Sequence, residues 1–440
     1  MTQEKKHSET GQDCPEGYKS CDGYKIPKEW HIVRFDSLFS RVTRKNDENN
    51  QNVLTISAQQ GLISQIEYYN TLYASENKTG YTLLHRGDFS YNKSYSSGYA
   101  YGAIKRLDAY EKGIVSPLYL CFTPRQGVNS DFYLQYFEAG CFDREIYKIA
   151  QEGARNHGLL NVSTEDFFHS MLVFPPLEEQ ERITEILTQC DHVIELKEQK
   201  LDELKQLKKE FLRKMFPAKG CDTPEIRFPG FTGAWEQRKL GDVCEIKDSA
   251  RIPNSEWTES GVPYIRASDV TNENIDGVLF ISQERYEFYK NRTGAPTKDD
   301  VLFNGGGEIG KCLLIADENP IYVQGGAVLY ACTSESSKLV GQYLKIYFET
   351  THAKSYIDTA SAGGTMKHFT LKPSQMMPIL IPSVDEQEKL GTYFFNLDHL
   401  ITLHQRKYDK LTKAKKSMLE KMFPKNGTNV PEIRFKGFTD

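Results

Sequence analysis

The chain has 440 residues, of which 39% are hydrophobic and 26% are charged, and its formal net charge is −5. This length predicts two to four domains with hydrophobic cores. No apolar run approaches the roughly 20 residues that span a membrane, and the first residues lack the apolar core of a secretory signal. The weakly acidic balance argues against nonspecific coating of nucleic acid, but it leaves room for a local basic groove.

The nine cysteines are scattered, and no Cys-x-x-Cys pair occurs among them. This pattern indicates neither a zinc site nor a disulfide framework, so we expect unpaired thiols in a reducing cytoplasm. No dinucleotide-binding, zinc-protease or serine-hydrolase motif is present either. The sequence therefore predicts no metal site and carries no positive sign of catalysis.

Residues 1–23 are polar and aperiodic and predict a flexible tail, which is followed by a first domain at residues 24–176. Short runs of Tyr, Val, Phe and Ile, broken by Gly and Asn, indicate an α+β fold with mixed or antiparallel sheet. Two of its turns combine cationic, amide and aromatic groups, which can hydrogen-bond base edges in a DNA groove. The candidate DNA-binding residues here are Lys93, Ser94, Tyr95, Arg155, Asn156 and His157, and an ordinary polar loop is the alternative for each.

Residues 177–217 predict a long helix whose apolar residues recur at alternating spacings of three and four, the pattern of a coiled-coil seam. About 38 helical residues would form a rod of roughly 57 Å, and so narrow a stripe needs a partner stripe. Lys197 and Lys208 interrupt the seam, and such polar positions can fix the register at a cost in stability. The seam residues are Leu187, Ile194, Leu201, Leu204 and Phe211. The last turns of this helix are basic, and they form either a solvated face or a contact to DNA phosphates.

After a linker at residues 218–234, a second domain at residues 235–383 has the plan of the first with different details. Its candidate DNA-binding residues are Asn304, Gly305, Gly306, Thr365, Lys367 and His368. The spacing from Gly305 to Lys311 matches a phosphate-binding loop. However, Cys312 stands where Ser or Thr would bind magnesium, and strand-like sequence follows. A glycine-rich hairpin is therefore the favoured interpretation.

Residues 384–424 predict a second helix that repeats the first, because residues 174–233 align with residues 381–440 without a gap. Its seam residues are Phe394, Leu397, Ile401, Tyr408, Leu411 and Met418. His404 and Lys415 interrupt this seam at the matching points. Because each narrow stripe needs a partner, each helix is the obvious partner of the other. Ser383 and Glu386 fit a capping box at the start of the helix.

The last segment, residues 425–440, repeats the piece that introduces the second domain. If the two helices pair antiparallel, this segment returns to the first domain. We expect it to pack there as residues 224–232 pack against the second domain, which would give a ring with pseudo-twofold symmetry. Deletion of residues 425–440 should then lower the stability of the first domain.

Two divergent domains thus alternate with two near-identical helices that both begin with Glu-Gln, at 179–180 and 386–387. Lys-Met-Phe-Pro ends both helices, and Pro-Glu-Ile-Arg-Phe follows at 224–228 and 431–435. This combination resembles the DNA specificity subunit of type I restriction-modification systems over residues 24–440.

The resemblance implies two target recognition domains that each read half of a split, asymmetric double-stranded DNA target. It also implies an antiparallel coiled coil that spaces the half-sites, and no catalytic activity in this chain. The expected partners are two methyltransferase subunits, which use S-adenosylmethionine, and restriction subunits that translocate DNA with ATP and magnesium. Two alternatives stay open: a coiled-coil scaffold with two protein-binding heads, and an enzyme that uses the glycine loop.

Overall fold

The computed structural model describes residues 17–21, 24–57, 60–95, 98–150, 160–361, 367–423 and 431–438. These residues form two compact units. Unit 1 comprises the residues up to Leu196 together with those from Tyr408 onward, and unit 2 comprises Lys197–Lys407. Each unit therefore contains one globular domain and a part of each long helix. None of the helices described is both long and apolar enough to cross a membrane.

Unit 1 has a four-stranded antiparallel sheet of order β4-β11-β8-β9 beside smaller two-stranded sheets. The strands are β1 Tyr18–Cys21, β2 Tyr24–Pro27, β3 His31–Arg34, β4 Phe39–Arg41, β5 Leu54–Ser57, β6 Gly61–Ser64, β7 Thr82–His85, β8 Phe89–Asn92, β9 Ala103–Arg106, β10 Lys112–Val115, β11 Leu120–Pro124 and β12 Met171–Phe174. The helices are α1 Phe35–Leu38, α2 Gln65–Tyr69, α3 Ser130–Glu138, α4 Asp143–Ile149, α5 Thr164–His169 and the start of α6, which spans Leu177–Lys214. Packed phenylalanine rings, among them stacked Phe89 and Phe122 at 5.3 Å, fill the core under the four-stranded sheet.

Unit 2 repeats this plan with a four-stranded sheet of order β14-β21-β18-β19. The strands are β13 Glu236–Lys239, β14 Ile246–Asp248, β15 Trp257–Thr258, β16 Val262–Ile265, β17 Phe280–Ile281, β18 Val301–Asn304, β19 Cys312–Leu314, β20 Tyr322–Val323, β21 Val328–Ala331 and β22 Pro378–Ile381. The helices are α7 Leu240–Val243, α8 Ala267–Thr271, α9 Gln283–Thr293, α10 Gly341–Tyr347, α11 Thr351–Ala360, α12 Leu371–Gln375 and α13 Val384–Met422, with 3-10 turns at Asn254–Glu256 and Thr333–Glu335.

A second sheet of unit 2, of order β15-β17-β16-β20, is mixed, because β16 and β20 run parallel while β17 is antiparallel to β15 and β16. Unit 1 has a parallel bridge between Val53 and Ile114 at the matching place. The predicted fold class, α+β domains with mixed or antiparallel sheet in an internal repeat, is confirmed.

Within unit 1, the first part of α6 packs against the last part of α13. Cys190 Sγ lies 4.0 Å from Met418 Sδ, and the next residue, Asp191, forms an ion pair with Lys415. A step forward along α6 is therefore a step backward along α13, so the two segments run antiparallel. Asp191 also accepts a hydrogen bond from Gln135 of α3 at 2.9 Å, which ties the globular domain to the helix pair.

Unit 2 holds the other parts of the two helices in the same way. Lys208 Nζ lies 2.6 Å from carboxylate oxygens of both Asp398 and Glu349, and the rings of Phe211 and Tyr393 lie 5.6 Å apart. These pairs again run in opposite directions along the two helices. Lys208 and Asp398 are the repeat-equivalents of Lys415 and Asp191, so this lysine of the seam is neutralised in both units.

The predicted seam residues lie on the packed faces of the helices. Leu187, Leu201, Leu204, Phe394 and Leu397 are buried, and Ile194, Phe211, Ile401, Tyr408, Leu411 and Met418 are half-buried. Burial of an apolar side chain of this size stabilises by about 1.5–3 kcal/mol. The stripe therefore supplies part of the stability of each unit.

The Glu-Gln pair at the start of each helix is fully buried. In unit 2, Arg227 donates to both carboxylate oxygens of Glu386 at 2.7 Å. In unit 1, the repeat-equivalent Arg434 donates to both oxygens of Glu179 at 2.9 Å. Glu386, which was predicted to form a capping box with Ser383, has both carboxylate oxygens in this charge-assisted bidentate pair.

Each Arg–Glu pair lies beside a cation–π contact that is also repeated. Lys389 lies over the ring of Phe231 at 4.8 Å in unit 2, and Arg182 lies over the ring of Phe438 at 5.6 Å in unit 1. The described part of the C-terminal segment, residues 431–438, thus contacts the start of α6. Residues 224–232 make the corresponding contacts with the start of α13.

Candidate nucleic-acid interface

The end of β18 in unit 2 leads into a turn of three glycines. The N–H groups of Gly305 and Gly306 donate to the carbonyl of Ala327 at 2.9 and 3.2 Å. A Cβ added to Gly305 would lie only 2.7 Å from the carbonyl oxygen of Phe369. Glycine is needed here because two backbones meet without room for a side chain.

Two of the predicted residues, Lys367 and His368, lie beside this turn. The Phe369 N–H donates to the Gly305 carbonyl at 2.8 Å, which aligns the two segments. Both Lys367 and His368 are exposed, whereas Gly305 and Gly306 are buried. The structure therefore brings these four predicted residues together, with a cationic and an imidazole side chain at the surface. Thr365 lies outside the described residues.

Asn304, at the end of β18, is placed differently from the prediction that it contacts DNA. Its side chain is fully buried, and Nδ2 donates to the carbonyl of Ala267 at 2.9 Å and to Thr271 Oγ1 at 3.0 Å. Its Oδ1 has no hydrogen-bond partner among the residues described. Asn304 therefore fastens the strand to α8 and does not present its amide to solvent.

The loop from Gly305 to Lys311 does not form a phosphate cradle. Gly310 N–H donates to the Asn304 carbonyl at 3.0 Å and Lys311 N–H to the Glu308 carbonyl at 3.3 Å. A phosphate-binding loop instead leaves such N–H groups open to the ligand and leads into a helix. Here strand β19 follows directly, so the interpretation as a glycine-rich hairpin agrees with the geometry.

The matching turn in unit 1 follows β8 and carries larger side chains. Lys93 is half-buried, and its Nζ donates to the Val162 carbonyl at 2.7 Å. Burial lowers the pKa of Lys93 from its ordinary value. The N–H of Ser94 donates to Asn92 Oδ1 at 3.0 Å, which closes an Asx turn. Tyr95 is 65% exposed, so it is the residue of this group most available to a ligand.

The backbone around the two turns is arranged alike, although the residues differ. In unit 1 the Leu160 N–H donates to the Lys93 carbonyl at 3.0 Å. This bond corresponds to the one from Phe369 to Gly305 in unit 2. Arg155, Asn156 and His157, which precede Leu160 in the chain, lie outside the described residues.

The basic last turns of the long helices differ in what they can offer to phosphates. Burial lowers the pKa of Lys208, but Glu349 and Asp398 outweigh this effect and the net pKa is raised. Its charge is thus already neutralised inside unit 2, as that of Lys415 is by Asp191 in unit 1. By contrast, Lys205 and Lys209 are exposed.

Two features of the structure were not predicted from the sequence. One is the pair of Arg–Glu contacts at the helix starts, whose partners are far apart in the chain. The other is an edge of the mixed sheet in unit 2 where β16 and β20 end together, because parallel pairing of short strands leaves no local signal. In the described ranges, no group of three or more His, Cys, Asp or Glu residues is arranged to hold a metal ion.

Comparison with protein families gives the same match in both halves of the chain. A family model described as "Type I restriction modification DNA specificity domain" matches residues 27–206 and again residues 233–413. These two matches together cover most of the chain and correspond to the internal repeat.

Individual relatives share a low level of identity over long alignments. The chain is 22% identical over 425 residues to the type I restriction enzyme MjaVIII specificity subunit of Methanocaldococcus jannaschii, which covers 92% of this chain and 94% of the relative. It is 26% identical over 153 residues to a putative type I restriction enzyme specificity subunit of Haemophilus influenzae, covering 34% of this chain and 37% of the relative.

Among solved structures, the crystal structure of a type I restriction-modification S subunit from M. genitalium has a TM-score of 0.57 to this chain. The two are 15% identical, and the match covers 92% of this chain and 98% of the other. At this level of identity the likeness shows a shared fold.

Proposed function

Because this chain belongs to the family of type I restriction-modification DNA specificity subunits, which recognise the DNA target and are not catalytic, we propose that its two units read two different half-sites of one split target. The turn after β8 reads one half and the turn after β18 reads the other. The catalysed reactions, methylation of adenine and cleavage of DNA, would be carried out by partner subunits.

The observation that carries this proposal is that two equivalent turns sit on the same backbone plan with different side chains. Unit 1 presents Tyr95 beside the partly buried Lys93, while unit 2 presents Lys367 and His368 beside a glycine turn. Base edges are distinguished by the donors and acceptors that meet them in the major groove. Two turns of different chemistry therefore suit an asymmetric target rather than a palindrome.

The long helices suit the role of a spacer between the half-sites. They run antiparallel within each unit, and the division between the units falls inside both of them. A helix of about 38 residues is roughly 57 Å long, so its length would fix the number of base pairs between the two reading surfaces.

We expect two methyltransferase subunits to dock on repeat-equivalent faces of the helices. Val193 and Leu196 in unit 1 are 40% and 49% exposed, and the equivalent Leu400 and Leu403 in unit 2 are 40% and 38% exposed. Residues three apart lie on one face of a helix, so each pair forms a small apolar patch. Substitution of Leu196 by Glu or of Leu403 by Glu should each remove one methyltransferase copy, as measured by native mass spectrometry.

The complex would act in the cytoplasm, where DNA is accessible and thiols stay reduced. S-adenosylmethionine, ATP and magnesium would bind to the methyltransferase and restriction subunits. This chain would contribute DNA recognition and the surface on which the other subunits assemble.

The family match does not favour the alternative of protein-binding heads, although one exposed surface of unit 1 has the composition of a protein interface. Tyr68, Tyr69 and Tyr73, on and just after α2, form a chain of edge-to-face rings at 4.6 and 5.1 Å and are 44–71% exposed. Exposed aromatic residues of this kind are enriched at protein interfaces. If the heads bind proteins, two results are expected. The unaltered chain should show no sequence-selective DNA binding, and Tyr73→Ala should abolish assembly with the partner proteins.

The test is methylation mapping with the full chain and its methyltransferase partner on random-sequence DNA. The proposal predicts a split motif with a fixed spacer. Lys367→Ala with His368→Ala should relax only one half of the motif, and Tyr95→Ala should relax only the other. The double variant and Tyr95→Ala serve as controls for each other. Methylation without a motif, or variants that weaken both halves equally, would contradict it.

A further inference from the structure

The mixed sheet of unit 2 ends in two polar residues that lie side by side. Strand β16 runs parallel to β20, with Ile265 opposite Val323. The Gln324 N–H donates to the Ile265 carbonyl at 2.8 Å. Arg266 and Gln324, the residues that follow the two strands, are therefore brought to the same edge. Ligands of α/β sheets commonly bind at the carboxyl ends of parallel strands.

This edge is continuous with the glycine turn of the candidate interface. Ala327 N–H donates to the Gln324 carbonyl at 3.2 Å, and the Ala327 carbonyl in turn accepts from Gly305 and Gly306. On the other side, the carbonyl of Ala267 accepts from buried Asn304 at 2.9 Å. Gln324 and the residue after Arg266 are thus both joined to the turn by short chains of hydrogen bonds.

The guanidinium of Arg266 is held in a defined orientation. Its Nε and Nη2 donate to the two oxygens of Asp269 at 3.1 and 3.2 Å, and Asp269 is itself buried. Asp269 also accepts from the Arg266 backbone N–H at 2.9 Å. Nη1 takes no part in this pair, and the Arg266 side chain is 32% exposed. An arginine oriented in this way loses less freedom when it binds a further acceptor.

The Gln324 side chain is half-buried and makes no hydrogen bond within the described part of the chain. Its carboxamide is therefore available as both donor and acceptor. Arginine pairs with the O6 and N7 acceptors of guanine, and glutamine pairs with the N6 and N7 groups of adenine. In unit 1 the parallel bridge joins Val53 and Ile114, and the residues that follow these two are the buried apolar Leu54 and Val115, so this polar pair is a feature of unit 2.

We propose that Arg266 and Gln324 are specificity-determining residues of unit 2 that contact base edges next to those read by the glycine turn. Asp269 acts as a positioning residue that orients the Arg266 guanidinium. This inference rests on the proposed function, because it assigns further contacts to the same reading surface. It adds at least one base position to the half-site of unit 2.

The test uses the full chain with its methyltransferase partner on a library in which both half-sites are randomised. Arg266→Lys keeps the charge but loses the planar fork, so discrimination at one position of the second half should fall roughly tenfold or more. Gln324→Ala should relax a different position of the same half. Asp269→Asn should lower base discrimination at the position read by Arg266, but by less than Arg266→Lys lowers it.

Arg285→Lys is the matched control, since Arg285 pairs with Glu256 at 3.3 Å near the opposite end of β16 and should leave the motif unchanged. The first half-site in each variant is an internal control. If the unaltered complex shows no split motif, the proposed function fails. If it shows one, and Arg266→Lys and Gln324→Ala either keep every preference or lose affinity uniformly for all sequences, this inference is overturned.

Discussion

The two units share a backbone plan but differ in the side chains of the two turns that we propose to read DNA. Both have the same four-stranded sheet order and the same backbone bond beside the turn, from Leu160 to Lys93 in unit 1 and from Phe369 to Gly305 in unit 2. The residues on the turns have nothing in common. The same framework therefore carries different residues on the two turns, which is what a protein needs when its two halves recognise different sequences.

The helix starts show the opposite relation, because there the chemistry is the same in both units. Glu386 and Glu179 each receive a bidentate arginine. They differ in one contact: Trp30 Nε1 donates to Glu179 at 2.6 Å, whereas Trp235 Nε1 has no partner among the described residues. Similar sequence thus gives similar but not identical stabilisation, and this difference can be measured.

The largest expected effect comes from removing the arginine in unit 2. Arg227→Met leaves the buried carboxylate of Glu386 without its donors, which should destabilise unit 2 by roughly 3–5 kcal/mol. Arg434→Met should cost unit 1 about 1–2 kcal/mol less, because Trp30 still donates to Glu179. Hydrogen-exchange mass spectrometry gives the opening free energy of each unit separately.

Arg238→Met provides the control for loss of a surface cation. Arg238 and its partner Glu236 are both about half exposed, so this change should cost less than about 1 kcal/mol. If Arg434→Met destabilises unit 1 as much as or more than Arg227→Met destabilises unit 2, the stabilising role given to Trp30 is contradicted.

The polar seam positions give the next largest difference. Lys208→Met leaves Glu349 and Asp398 facing each other without a cation and should cost unit 2 about 2 kcal/mol. Lys415→Met should cost unit 1 about 1 kcal/mol, because Asp191 is partly exposed and keeps its bond from Gln135.

The contribution of Lys208 also has a defined pH range. Because its folded pKa is raised above the ordinary lysine value, the stabilisation is fully present below that ordinary value and is lost as the pH rises through the raised one. Urea unfolding at neutral pH should therefore show the whole difference between the two variants. If Lys208→Met and Lys415→Met lower the free energy of unfolding by the same amount, Glu349 adds nothing to the contact in unit 2.

The smallest effect is a pH dependence confined to unit 1. Burial raises the pKa of Asp143, at the start of α4, to about 6. A raised carboxyl pKa means that stability is present below the unfolded pKa and is lost as the pH rises through about 6. Asp143→Asn should therefore stabilise unit 1 by roughly 1–2 kcal/mol at pH 7.5, and the gain should shrink toward pH 4.

Thermal unfolding across this pH range measures the effect, with unit 2 as the control in the same molecule. A gain that is independent of pH would show that the charge of Asp143 is not its source.

The helices and the fold class were accessible from the sequence because they depend on periodicity. The seam spacing and the proline stops predict helices at 177–217 and 384–424, close to the Leu177–Lys214 and Val384–Met422 of the structure. The clustering of Gly305 with Lys367 and His368 was not accessible, because Lys367 comes 62 positions after Gly305 (367 − 305) and only a backbone hydrogen bond from Phe369 to Gly305 brings the two segments together.

Other parts of the site were misjudged because burial cannot be read from residue type. Asn304 carries an amide that could hydrogen-bond a base edge, but its side chain is fully buried against α8. Glu386 has the spacing of a helix cap, and its ion pair with Arg227 was not predictable because Arg227 comes from a segment far earlier in the chain. Arg266 and Gln324 were overlooked because only the parallel pairing of β16 and β20 makes them neighbours.

The central claim is that the antiparallel helices set the distance between two independent readers. A heptad inserted in the middle of both α6 and α13 preserves the seam and lengthens each helix by about 10.5 Å. Methylation mapping of this variant with its methyltransferase partner should return both half-sequences unchanged with a longer spacer between them, by the order of three base pairs. The original spacer in an active, folded variant, or a change in either half-sequence, would contradict the account.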